Sequence, residues 1–124
     1  MNRDVLVSAG IDYDQGVNRF AGKAQIYEKF LKRLFEEESM SQLGTQLAEK
    51  DYESAFKTAH NLKGMSGNLS LNQFYKAICE IVEELRNGQP GDDILTSYQH
   101  ASVLYEKAKR TIQEEAAKDE SKSE

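Results

Sequence analysis

Apolar side chains recur every third or fourth residue along almost the whole chain, and no stretch alternates apolar and polar residues as a half-buried strand would. That regularity commits the chain to packed helices. Residues 23–39 carry Tyr27, Phe30, Leu31, Leu34 and Phe35 on one helical face, and residues 41–50 place Leu43 and Leu47 together. Residues 52–69 align Tyr52, Ala55, Phe56, Ala59, Leu62, Ser66 and Leu69. Residues 71–85 turn Leu71, Phe74, Ile78, Ile81, Val82 and Leu85 inward. A last helix, starting near Asp92 and Asp93, presents Ile94, Tyr98, Ala101, Tyr105, Ala108 and Ile112.

The punctuation agrees. A single proline among 124 residues favours long helices over a turn-rich fold. A short helix over residues 2–9 ends at Gly10, and Asp12 and Asp14 offer capping carboxylates for a second, stopped by Gly22. Asp51 is placed to cap the 52–69 helix, and Ser70 with Gln73 has the spacing of a capping box for the next. Gln89-Pro90-Gly91 forms the clearest loop, after Asn87 and Gly88. Gly16 and Gly44 are read with the boundary glycines. The expectation is an all-α domain over residues 1–117: an antiparallel up-down four-helix bundle with one or two short N-terminal helices against one end or side. A charged, disordered tail is expected over 118–124.

Composition narrows the function classes. The formal charge is -5, which argues against a dedicated nucleic-acid binder. No apolar run is long enough to span a bilayer and no signal segment opens the chain, so a soluble cytoplasmic protein without a membrane partner is expected. The lone Cys79 excludes a disulfide within the chain; beside a core stripe, it reads as buried and inert. The charge is also uneven. Residues 114–124 hold five acids and two lysines, whereas residues 54–79 contain Lys57, Lys63 and Lys76 and no acid. An acidic chain therefore has one basic stretch, and His60 lies within it.

Two glycines, Gly64 and Gly67, fall inside a good helix, where each costs about 1 kcal/mol relative to Ala if exposed. Close helix packing or an early helix end would explain them. Their neighbours suggest more. His60, Lys63, Gly64 and Gly67 stand at i, i+3, i+4 and i+7, on one face, and the apolar stripe is centred about a third of a turn away. His60 is thus expected on the flank of the bundle, with Lys63 to neutralise an anion on the imidazole. Gly64 would let another protein's surface approach, and Asn68 would add a hydrogen bond.

The stretch Ala59-His60-Asn61-Leu62-Lys63-Gly64-Met65-Ser66-Gly67-Asn68-Leu69 resembles the signature of the histidine-containing phosphotransfer (HPt) domain. Gly10-Ile11-Asp12, the Tyr27–Phe35 helix and Asp51 are placed as in that family. Gly67 departs from its usual Ala or Ser, and Ser70 from a frequent Gly at the turn. The resemblance implies a phosphoprotein of two-component phosphorelays. His60 would take a phosphoryl group from a receiver-domain aspartyl phosphate, through the ring nitrogen facing solvent, and relay it to another response-regulator receiver. Lys63 would compensate phosphate charge. Receiver domains, or a hybrid sensor histidine kinase, would be the partners of a monomer. The receiver would bring the metal ion, so no cofactor or metal is expected on this chain, and no kinase activity of its own. Receiver docking would involve Lys57, Gly64, Met65, Gly67, Asn68 and Lys76, with Met65 near the centre.

Two rivals come from other classes. One is an adaptor bundle in which His60 has no chemistry. The other is a metal or cofactor bundle, which finds no Glu-x-x-His pair: Lys57 precedes His60 and Ser97 precedes His100 at that spacing. His100 reads as a surface or boundary residue, and Glu36-Glu37-Glu38 and Glu83-Glu84 as solvated faces. Met1 points weakly to a stand-alone protein.

Overall fold

The computed structural model describes residues 1–122. Among them it is all-helical: α1 (Arg3–Ser8), α2 (Tyr13–Arg19), α3 (Ala24–Leu34), α4 (Ser39–Ala48), α5 (Tyr52–Asn68), α6 (Asn72–Leu85) and α7 (Ile94–Lys122). Helices α4 to α7 form the four-helix bundle. α5 packs against α4 and α6, α7 packs against α6, and α4 meets α7 to close the ring. Short connections make successive helices antiparallel. α1 and α3 lie against α7, and α2 lies between α1 and α3 in the contact order.

The core is the one that helical periodicity marks. Ala55, Ala59, Leu62 and Ser66 of α5 are buried, as are Phe74, Ile78, Ile81, Val82 and Leu85 of α6. Ile94, Ala101, Tyr105, Ala108 and Ile112 of α7 join them. Caps form where short acidic side chains precede a helix. Asp12 Oδ1 accepts from the Gln15 N–H at 3.1 Å and Asp51 Oδ1 from the Ser54 N–H at 3.3 Å. Gly10 and Gly22 end their helices at φ +84° and +78°, a conformation that costs glycine little.

Several expectations are corrected. The helix expected over 23–39 ends early, with α3 stopping at Leu34, and the one expected over 41–50 begins at Ser39 as α4. Lys32 and Arg33 close α3 favourably, whereas continuing it would set Glu36, Glu37 and Glu38 against its negative C-terminal dipole. Phe30 is 40% exposed rather than in the core. Gly16 and Gly44 lie inside helices, not at boundaries. At Gly16 an added Cβ would overlap the ring of Tyr27, and at Gly44 it would come 2.5 Å from the Tyr98 hydroxyl. Cys79 is half-buried. The Ser70–Gln73 capping box does not form: Ser70 is buried with a left-handed φ of 57°, and its hydroxyl donates to Gln15 Oε1 at 2.9 Å.

The 118–124 tail also differs as far as it is described, because α7 continues to Lys122. Its end is tied down. Buried Glu115 accepts from the Asn2 N–H at 2.6 Å and from Lys118 Nζ at 3.0 Å, and Asp119 takes the N-terminal ammonium at 2.7 Å. Residues 123–124 fall outside the described part.

Candidate functional site around His60

Helix α5 shows two faces. The inner one is small and apolar, so α4 and α6 approach closely. The outer one carries His60, exposed, with Lys63 half-buried one turn on. Gly64 and Asn68 are exposed, and Gly67 is half-buried. Among the described residues the His60 imidazole has no hydrogen-bond or ion-pair partner. Its ring neighbour is Phe56, with centroids 6.0 Å apart.

His60 stands on the ridge between two shallow depressions. The first, about 480 Å³, gathers His60, Lys63, Gly64, Gly67 and Asn68 from α5. The rest of its lining comes from Gln15 and Arg19 of α2 and from Asn72 and Tyr75 of α6. Sequence reading had missed these four. α2 is distant in the chain and no periodic pattern points it at α5; for Asn72 and Tyr75 the only signal was their position in the first turn of the helix after the α5–α6 break. The second depression holds Phe56, Lys57, Asn61 and Arg86 beside His60. There Arg86 lies over the Phe56 ring at 5.9 Å and clasps Glu83, with contacts of 2.9–3.3 Å. Arg86 holds the Glu83 carboxyl below its ordinary range, first through the hydrogen bond and then through charge.

The two internal glycines have different reasons. Nothing lies within 4 Å of a Cβ built at Gly64, so core packing does not require a glycine there. At Gly67 the Tyr75 ring would be 3.1 Å from such an atom, so close α5–α6 packing accounts for that residue. The Tyr75 phenol is raised above its ordinary value chiefly by its hydrogen bond with Cys79, and the nearby Arg19 cation opposes the rise.

The other expected interface residues scatter. Lys57 is exposed and pairs with Glu53 at 3.8 Å. Met65 lies in a neighbouring apolar groove with Phe20, Phe30 and Leu34, which shares only Asn68 with the first depression. Lys76 is exposed on α6 and lines neither depression beside His60.

Among the described residues no group of three or more His, Cys, Asp or Glu side chains could hold a metal ion, and no helix is long and apolar enough to cross a membrane. Bundle and surface together define a class: a helical bundle that presents an exposed histidine beside cations. A family model described as Hpt domain matches residues 25–114, and the chain belongs to that family. Domains of this family carry phosphoryl groups in two-component phosphorelays, where they meet receiver domains or kinases. Comparisons with curated proteins and with solved structures return no match.

Proposed function

We propose that His60 is the phosphorylated residue and that this chain relays a phosphoryl group between receiver domains of two-component proteins. The observation that carries the reading is the exposed His60 imidazole, without a hydrogen bond or ion pair among the described residues, on the face of α5 where no side chain at Gly64 blocks an approaching surface. A neutral imidazole is nucleophilic near neutral pH. Its lone pair attacks the phosphorus of a receiver aspartyl phosphate. The N–P bond forms as the P–O bond to the aspartate breaks, and the aspartate leaves as a carboxylate. The reverse step, on a second receiver, completes the relay.

Such transfer depends on in-line positioning and on compensating charge at the equatorial oxygens. Lys63, one turn from His60 and without an ion pair among the described residues, supplies that charge. The docking surface centres on Gly64 and Asn68 and extends across the Gly67–Tyr75 contact; Met65, Lys57 and Lys76 lie at its margins. The protein acts as a monomeric carrier in the cytoplasm and brings no kinase activity.

Incubation with a radiolabelled phospho-receiver tests the reading. Label that is stable in alkali and labile in acid is expected on this chain, and its absence from His60→Gln is required. Label that persists in the variant would refute the assignment.

A further inference from the structure

We propose that α2 completes the phosphoryl-holding site, with the Arg19 guanidinium contacting the phosphoryl oxygens on His60. The inference rests on His60 as the phosphorylated residue. Four cations lie around that side chain, and they are not equivalent. Lys57 pairs with Glu53 at 3.8 Å, and Arg86 is clasped by Glu83. Lys63 and Arg19 have no ion pair among the described residues, and these two line the same depression as His60. No carboxylate lines it; its remaining polar groups are the amides of Gln15, Asn68 and Asn72 and the Tyr75 phenol. His60 therefore has one flank where both cations are held in ion pairs and one where neither is, Lys63 feeling Glu83 only at longer range. A phosphoryl group on the imidazole is drawn to the second flank. A guanidinium fork is well matched to phosphoryl oxygens.

α2 is fixed in place, as such a contact requires. The Asp12 N–H donates to the Ser70 carbonyl at 2.9 Å, and the Gln73 N–H donates to the Gly10 carbonyl at 3.3 Å. The Ser70 hydroxyl holds the Gln15 side chain, and Arg19 stands one turn beyond Gln15 on the same face of α2. Gly16 lets α2 settle onto the ring of Tyr27, whose hydroxyl donates to the Leu69 carbonyl at 2.6 Å. These contacts lock α2 to the turn between α5 and α6. α2 also lies outside the stretch 25–114 that the family model matches. During transfer, Lys63 and Arg19 together compensate the equatorial oxygens.

The test compares wild type, Arg19→Ala and Arg19→Lys with a receiver domain charged by a small acyl phosphate. In Arg19→Ala the transfer rate is expected to fall by about tenfold or more, with affinity for the uncharged receiver kept within about twofold. Arg19→Lys recovers part of the rate. A phosphorus NMR pH titration of the phosphorylated chain gives a readout without a partner: loss of Arg19 moves the last phosphoryl ionisation to higher pH. An Arg19→Ala rate within about twofold of wild type, together with an unmoved titration, overturns the proposal. So does a rate loss matched by an equal loss of affinity with an unmoved titration, which makes Arg19 a partner contact. Wild-type chain that takes no label at His60 overturns the underlying reading and this one with it, whereas a change confined to Arg19→Ala bears on Arg19 alone.

Discussion

An added Cβ at Gly16 would run into the buried ring of Tyr27, whereas one at Gly64 would meet nothing within 4 Å. Both residues lie inside a helix, yet only the first is needed by the fold. Gly16 lets α2 and α3 come together over a buried tyrosine whose hydroxyl donates to the Leu69 carbonyl. Gly64 carries the helix penalty of glycine with no packing return, and it does so one turn from an exposed histidine. The contrast separates a glycine that the bundle needs from one that its packing does not need.

The largest effect is expected where the fold needs the space. Gly16→Ala should lower stability by about 1–3 kcal/mol, seen as a lower urea midpoint at unchanged m-value. An unaltered midpoint would mean that Tyr27 yields and that the two glycines do not differ. Tyr27→Phe comes next. It strands the Leu69 carbonyl in a buried site and should cost about 1–2 kcal/mol in the same assay.

A smaller effect depends on pH. Glu115 is held below its ordinary value of 4.5, first by the Asn2 N–H and then by Lys118. A lowered carboxylate stabilises the fold above its unfolded value, and that contribution is lost as pH falls through the folded value. Thermal melts from pH 6 down to pH 3, the range roughly bracketing an ordinary glutamate, should therefore fall less steeply for Glu115→Gln than for wild type. Equal slopes would remove Glu115 from the account. The smallest effect on the fold, and of opposite sign, belongs to Gly64→Ala. Stability should rise by up to about 1 kcal/mol while receiver binding weakens. A variant that is stabilised and still binds as well as wild type would leave Gly64 without a function.

The same contrast explains what could be read from the sequence. The stripes of α5, α6 and α7 were legible because burial repeats with the helical period, and the His60 face was legible because it departs from that period. What was lost depends on contacts between distant segments. Ser70 and Gln73 have the spacing of a cap, but Asp12 and Gln15 claim Ser70 for the α2 contact and leave it in a left-handed turn. Arg19 is remote from His60 in the chain, and its place on the same depression follows only from how α2 docks. The extent of α7 was missed because the contacts of Glu115 and Asp119 with the N-terminal segment lie beyond the reach of local composition.

The central claim is that the outer face of α5 carries the chemistry and the inner face carries the fold. His60→Gln, followed for label uptake and for melting temperature in one preparation, tests both halves. The account predicts a melting temperature within about 2 °C of wild type, as befits an exposed side chain, and no label from a charged receiver. A variant that still takes label, or one that loses label only because it no longer folds, would contradict it.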